Sequence, residues 1–412
     1  RGLPAPRRAT LVGLRDAAGP FDQGLLLWMP GPRSYTGEDC AELSCHGNPL
    51  LVERLVAACV QAGARLARPG EFTRRAWLNG RLDLCRAEAV LQTILARSQA
   101  GLEVAAQGLS GELSAFFDSL REELEGCAAE VEARLDFPDQ LDHGWGGLLE
   151  DEALLARLRA VRDRLALAAA THARARVLVR GARVALIGPV NAGKSSLFNA
   201  LLGRRRALVA ARPGTTRDAL EAPLDLDGLE VTLLDTAGER ARPAGIERAG
   251  LALRDALLDE VDLVVVVLPA HRPRLAESAA LLERTAGRPR LLVGNHADRR
   301  GARFVQHGEH LLPTCAPTGQ GLPQLRAALR AALVGEEPKA GAVLVASQRQ
   351  HALLLEACAG LERAAEALAG EAGVAVASEE LIGVLAALSG LSGHGVREEV
   401  LDALFARFCV GK

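Results

Sequence analysis

Lysine is nearly missing from this chain of 412 residues: Lys194, Lys339 and Lys412 are the only three. The other basic side chains are arginines, and with abundant alanine, glycine and leucine this bias reads as the mark of a GC-rich genome. A lysine kept against it marks a place where arginine cannot serve. Net charge is nearly missing too, with 49 basic against 51 acidic residues and a balance of -2. That excludes a uniformly basic nucleic-acid binder and leaves room for a local basic patch. The 8 cysteines contain no CxxC pair. Cys40 and Cys45 are the closest two, with no second pair to complete a ligand set, which excludes a disulfide framework and a zinc site. The cysteines read as small buried hydrophobes in a reducing cytosol. No apolar run approaches the ~20 residues of a spanning helix. The longest, Leu263 to Leu268, reads as one buried strand. The expectation is a soluble, cytoplasmic protein with no membrane partner and no signal peptide, beginning at Arg1 after the loss of a leading segment.

The length is too great for one core and predicts two or three domains. A hydrophobic share of 49% excludes wholesale disorder. Residues 1–83 mix short apolar runs with turn signals; Leu25 to Met29 and Ala41 to His46 read as strands bounded by Pro30-Gly31 and Gly47-Asn48. Residues 84–180 follow a helical pattern, interrupted at Phe137-Pro138 and Gly144 to Gly147. Residues 181–336 alternate strand and helix, an α/β signature, and 337–412 are helical again. The predicted architecture is an α/β domain inserted into a helical domain and preceded by a mixed α+β domain.

Val184 to Ile187 is a short buried-strand pattern, followed at once by Gly188-Pro-Val-Asn191-Ala192-Gly193-Lys194-Ser195 and a helix pattern from Ser196 to Leu202. This is GxxxxGK[ST] between a strand and a helix, the context a P-loop requires. Glycines let backbone N–H groups curl around a phosphate chain, and the helix N-terminus adds partial positive charge. Lys194 is expected to reach the β- and γ-phosphates, and the Ser195 hydroxyl to bind Mg²⁺. Three further segments choose guanine. Gly214-Thr215-Thr216-Arg217-Asp218 places Thr216 as a second Mg²⁺ ligand. The strand Val231 to Leu234 leads into Asp235-Thr236-Ala237-Gly238, a DxxG that senses the γ-phosphate through Mg²⁺ and the Gly238 amide. The strand Leu291 to Val293 leads to Asn295-His296-Ala297-Asp298, a variant of NKxD. Asp298 can accept from the guanine N1–H and 2-amino group together, which adenine cannot offer, so the wrong base leaves a buried acceptor unpaired. Cys315-Ala316-Pro317 would cover the base.

Asn191, GTTRD, DTAG and the ending Phe408-Cys409-Val410-Gly411-Lys412 together resemble the tRNA modification GTPase family MnmE/TrmE. Pro30-Gly31-Pro32, Tyr35 to Asp39, Glu42, His46-Gly47, Arg68 to Thr73 and Asn79 to Leu84 agree with it. The resemblance covers the chain from about Leu3 onward. It implies a tetrahydrofolate-binding-like N-terminal domain, a helical domain in two parts and a G domain. It implies nucleotide contacts along Ala210, Ala211, Arg212 and Pro213 as well as the motifs above. It further implies GTP hydrolysis with K⁺ as well as Mg²⁺ after two G domains meet. Asn191 and the carbonyls of Ala210, Arg212 and Thr215 would hold the K⁺, hard oxygen ligands for a hard cation; a turn residue is the other reading of Asn191. Glu42, Arg81 and Lys412 would hold a 5-formyl or 5,10-methylene tetrahydrofolate. Cys409 would be a reactive thiol of the modification chemistry, lowered by a cation such as Lys412; a buried core cysteine is its other reading. The implied setting is a homodimer joined to an FAD-dependent MnmG-type partner in a heterotetramer. Together they would add an aminomethyl or carboxymethylaminomethyl group to C5 of the tRNA wobble uridine. The arginine clusters Arg204 to Arg206 and Arg174 to Arg180 read as solvated faces, with phosphate contact as the alternative.

The chain departs from the family pattern in five places. An N-terminal strand carrying an arginine is missing before Arg1. The loop after DTAG is about five residues short, over the glutamate that orients the attacking water; Arg242 falls at the aligned position and Glu239 is the nearest acid. His296 replaces the lysine of NKxD, and Arg81 replaces a lysine. Pro189 and Val190 alter the P-loop wording without removing an indispensable side chain. The short loop favours a competing reading, a GTP-binding switch that hardly hydrolyses. A third, an Era-like ribosome-assembly GTPase, predicts a basic RNA-binding appendage where this chain ends in Cys-Val-Gly-Lys.

Overall fold

The computed structural model describes residues 4–136, 151–203, 220–235, 258, 260–272, 276–306, 308–335, 342–370, 373–409 and 411. Three strands come first, β1 (Thr10–Asp16), β2 (Gly19–Met29) and β3 (Cys40–Ser44). Seven helices follow: α1 (Pro49–Gln61), α2 (Glu71–Leu78), α3 (Leu84–Leu95), α4 (Gln99–Ser110), α5 (Glu112–Asp136), α6 (Asp151–Ala170) and α7 (His172–Arg180). Then come β4 (Ala182–Ile187), α8 (Lys194–Leu202), β5 (Leu220–Leu226), β6 (Leu229–Asp235), β7 (Leu263–Pro269), α9 (Ala276–Arg284) and β8 (Arg290–Asn295). The short β9 (Val305–Gln306), β10 (Glu309–His310) and β11 (Leu312–Pro313) lead to α10 (Leu322–Val334). Helices α11 (Gln348–Ala369), α12 (Gly373–Ser392) and α13 (Glu398–Phe405) complete the order.

Packing divides the chain into two compact units: Arg1–Leu91 with Gln107–Ala166 and Ala352–Lys412, and Gln92–Ala106 with Leu167–His351. Helix α7 and the first two-thirds of α4 therefore pack with the α/β unit.

In the first unit β1, β2 and β3 form an antiparallel sheet in that order. Strand β1 is an addition to the two strands expected there; its Leu14 alone is fully buried among mixed neighbours, so its alternation is weak in sequence. Helix α1 starts where the Asn48 side chain accepts from the Leu50 N–H and Pro49 presets the first turn. None of its residues is buried. The helical part is built on α5 and α12, which pack along each other. Helix α12 corrects the expectation about apolar runs. By length and composition it is apolar enough to cross a membrane, with mean hydropathy 1.7. In this fold its Ala377, Leu381, Val384, Leu388 and Leu391 are buried, and Glu380 pairs with Arg363. Leu84, Ala87 and Leu91 of α3 share a core with Leu401, Phe405 and Phe408, which seats the C-terminal helix α13 on the start of the helical part.

The second unit carries a six-stranded sheet in the order β11-β8-β7-β4-β6-β5. All neighbours are parallel except β5, which returns on β6. Strand β7 is buried at every position, as a Val/Leu run between two helical layers should be. Leu186, Leu197, Leu233, Val265, Leu325 and Leu329 fill one face, and Ala185, Val264, Val266, Leu268 and Leu282 fill the other. The segments that enter and leave the unit are tied together. The Val345 N–H donates to Thr171 Oγ1 at 3.0 Å, His172 Nδ1 lies 3.0 Å from the Val345 carbonyl, and the His172 and His351 rings stack at 4.3 Å.

The reading of the cysteines as buried is corrected in part. Cys85, Cys127 and Cys315 are buried, Cys40, Cys45, Cys59 and Cys358 are half-buried, and Cys409 is exposed; all are free thiols. Burial pushes the Cys358 thiol up to about 11.

Candidate nucleotide site

Strands β4, β6, β7 and β8 run parallel in register, so Ile187, Asp235, Pro269 and Asn295 end on one edge of the sheet. In open α/β sheets that carboxyl edge is where ligands bind. The loop between β4 and α8 turns through Asn191 and Gly193, both at positive φ, 62° and 85°. Gly193 has no alternative: a Cβ there would stand 2.2 Å from Asn295 Nδ2 and 3.0 Å from His296 Nε2. Helix α8 then begins at Lys194, two residues before the sequence pattern placed it, so its N-terminal end follows directly on the loop. Lys194 Nζ donates to the carbonyls of Gly188, at 2.9 Å, and Pro189, at 3.0 Å, so the ammonium is folded onto the loop it belongs to. Ser195 lies half-buried in the first turn and Ser196 is exposed.

The base side of the edge is tied to the P-loop. The buried Asn295 donates from Nδ2 to the Ala192 carbonyl at 2.9 Å. Its Oδ1 is buried without a partner, as are His296 Nδ1 and Thr314 Oγ1. The Ala297 N–H donates to the Thr314 carbonyl, and the Thr314 N–H to the Gly294 carbonyl, which holds the NHAD loop against the segment leading to Cys315-Ala316-Pro317. Cys315 and Ala316 are buried, and Asp298 is exposed. His296 takes positive φ, 64°. Burial, then the nearby Arg299, hold its imidazole below the usual histidine range, against the opposing pull of Asp298. Asp235 is buried at the end of β6. Ala210 to Thr216, Thr236 to Gly238, Glu239, Arg242, Arg204 to Arg206 and Lys412 lie outside the described residues.

The donor chemistry fits the groups expected. A phosphate chain suits the P-loop turn and the Lys194 ammonium, while the Ser195 hydroxyl and the Asp235 carboxylate are hard oxygens of the kind Mg²⁺ takes. Of the four K⁺ candidates Asn191 is the described one, and its side chain is exposed. One residue was missed. His271 follows β7 on the same edge, its ring centroid 5.2 Å from that of His296, and its Nδ1 is likewise buried and unpartnered. A lone histidine carries no motif; its signal was its place directly after a fully buried strand.

In the first unit Glu42 is exposed on β3, opposite Leu27 of β2. Arg81 is exposed, with its stem against Gly37. The motif Arg68 to Thr73 meets the C-terminal segment: the Gly70 N–H points to the Cys409 carbonyl at 3.4 Å. Cys409 itself is exposed, which removes the buried-core reading. Beside it Glu71 bridges Arg65 and Arg75 and accepts from the Arg68 N–H. Those contacts, Arg65 first, lower its carboxyl to about 2. Arg176 pairs with Asp262, and Arg174 donates to the Val334 carbonyl, so these members of that arginine run are structural.

Residues 84–409 match the family profile of the MnmE helical domain, and residues 2–81 match that of the GTP-binding protein TrmE N-terminus. A tRNA modification GTPase MnmE of Synechococcus sp. (strain JA-2-3B'a(2-13)) is 41% identical over 403 residues, 97% of this chain and 87% of that protein. One from Myxococcus xanthus (strain DK1622) is 44% identical over 411 residues, 99% of this chain and 90% of that protein. Among solved structures, the G domain of the T. maritima FeoB iron transporter is similar to 37% of this chain at 29% identity, covering 98% of that domain with a TM-score of 0.29. The fold and the P-loop edge define a GTPase, with its α/β domain set within a helical one after a TrmE-type N-terminal domain. The chain belongs to the MnmE (TrmE) family of tRNA modification GTPases.

Proposed function

We propose that this chain hydrolyses GTP to drive modification of tRNA, adding a (carboxymethyl)aminomethyl group to C5 of the wobble uridine in the cytoplasm. The observation that carries the GTP step is the joint between Asn295 and Ala192, which fixes the base-binding loop to the P-loop. In this reading Lys194 leaves the Gly188 and Pro189 carbonyls for the phosphates. The α8 N-terminus and the P-loop amides cradle the chain of phosphates, and Ser195 with Thr216 holds Mg²⁺. Asp298 accepts from the guanine edge while Cys315, Ala316 and Pro317 cover it. Mg²⁺, when bound, neutralises charge building on the β- and γ-phosphate oxygens. Asn191 with the carbonyls of Ala210, Arg212 and Thr215 holds K⁺ as two G domains meet. Glu42, Arg81 and Lys412 hold the tetrahydrofolate carrier, and the exposure of Cys409 suits a thiol that must reach a substrate. The working assembly is a homodimer with an FAD-dependent MnmG-type partner.

GTP turnover in KCl and in NaCl at equal ionic strength, with Lys194→Ala as the blank, tests this. Faster turnover in K⁺ is expected. Binding without turnover in either salt would refute the hydrolytic reading and leave a GTP-binding switch, the alternative that the short loop after DTAG favours.

A further inference from the structure

Two histidines meet at the base-binding end of the nucleotide site, and neither ring is explained by hydrogen bonding within the protein. His296 lies against the P-loop, its Nε2 3.0 Å from where a Cβ on Gly193 would stand. His271 covers it from the end of β7, with ring centroids 5.2 Å apart and planes inclined at 56°. Both Nδ1 atoms are buried without partners. The two rings are anchored by backbone as well, since the Ala270 N–H donates to the Asn295 carbonyl at 2.9 Å. The stack thus runs from His271 through His296 to the backbone of Gly193.

We propose that His271 is a positioning residue of the nucleotide site: it holds the His296 ring across the P-loop, so that an imidazole pair takes the place of the lysine in NKxD. The inference rests on the GTP reading above. A lysine stem covers a base flexibly and keeps its charge; a ring needs a second ring to fix its tilt, which is the work of an inclined aromatic contact. The pair is surrounded by charge that opposes a proton. Arg272 follows His271 and Arg299 follows the NHAD loop, and both disfavour an imidazolium, while Asp298 favours one. Lys194 is the charged group on the P-loop side. Burial acts in the same direction as the arginines on both rings. Below about 6.5 an unburied histidine takes up a proton that these rings resist, so the pair keeps its neutral form to lower pH than a free imidazole would.

The test is GDP affinity with Mg²⁺, by calorimetry on the full chain at pH 7.5 and 5.5. Protonation of GDP itself is common to all variants and cancels between them. The wild type should lose less affinity between the two pH values than His271→Ala, whose uncovered His296 ring titrates closer to a free imidazole. His271→Ala should also weaken binding about tenfold at pH 7.5, the effect of a ring left untethered. His271→Phe should restore both the affinity at pH 7.5 and the shallower profile. A purely structural role for His271 would move melting temperature and leave affinity and pH profile alone. If His271→Ala does not fold, the His271→Phe profile decides, which should match the wild type. A wild-type acid loss as large as that of His271→Ala overturns the inference, as does unchanged affinity in a folded His271→Ala. A wild type that binds no GDP at either pH overturns the nucleotide reading and this inference with it.

Discussion

The three-stranded and the six-stranded sheet of this protein differ in what they hide. In the α/β unit Val265 and Val266 are fully buried, whereas Leu11 on β1 is 68% exposed and Leu50 on α1 is 72% exposed. The six-stranded sheet closes its own core from both faces; the three-stranded one leaves aliphatic side chains in contact with water. The difference teaches that hydrophobic content does not by itself make a core, because burial needs a second layer. The α/β unit finds both layers within itself, while β1 to β3 and α1 keep one side open.

The contrast can be broken most sharply at the P-loop. Gly193→Ala adds a methyl at positive φ where Asn295 Nδ2 stands 2.2 Å away. GTP binding should fall a hundredfold or more, roughly the loss of several site hydrogen bonds, while hydrogen exchange in β4 and β7 stays protected. Retained binding would mean the joint between the two loops is dispensable. A smaller effect separates the sheets. Leu233→Ala, at a fully buried site on β6, should cost about 2–5 kcal/mol in the opening free energy read by exchange of the central strands. Leu50→Ala should stay within about 0.5 kcal/mol for the isolated chain. Equal costs at the two positions would erase the distinction between the units. The smallest effect concerns Glu71. Its carboxyl drops from 4.5 to about 2 in the fold, so its stabilisation is complete above about 4.5 and is lost as pH falls toward 2. Glu71→Gln should flatten the acid side of the melting-temperature profile of the first unit, and an unaltered profile would show that the arginine contacts are solvent-screened.

The α/β architecture was readable because three of its strands are short Val/Leu runs ending in motifs, so Val184 to Ile187, Val231 to Leu234 and Leu291 to Val293 marked their own elements. The P-loop turn and the NHAD placement followed from spacing, and the helix after the P-loop was read two residues late. Other features did not. Strand β1 alternates too weakly to stand out, and α12 is apolar around most of its circumference, interrupted by Glu379 and Glu380, so a search for uninterrupted runs passed over it. Cysteine burial failed as a rule because burial is decided by the layer a residue lands in: Cys315 lies under the base-side loop while Cys409 is left outside. His271 was invisible because its partner is 25 positions away, and pairing across strand ends leaves no periodic trace.

The clasp of Thr171 and His172 with Val345 and His351 brings the chain's entry to the α/β unit within hydrogen-bonding distance of its exit. Such a junction makes the unit a cassette. Its whole length could be cut out and the gap bridged by a few residues, or its ends joined and new ones opened in a surface loop, with little strain passed to the flanking helices. The same closeness of ends lets a helical domain carry an inserted segment without being remade around it.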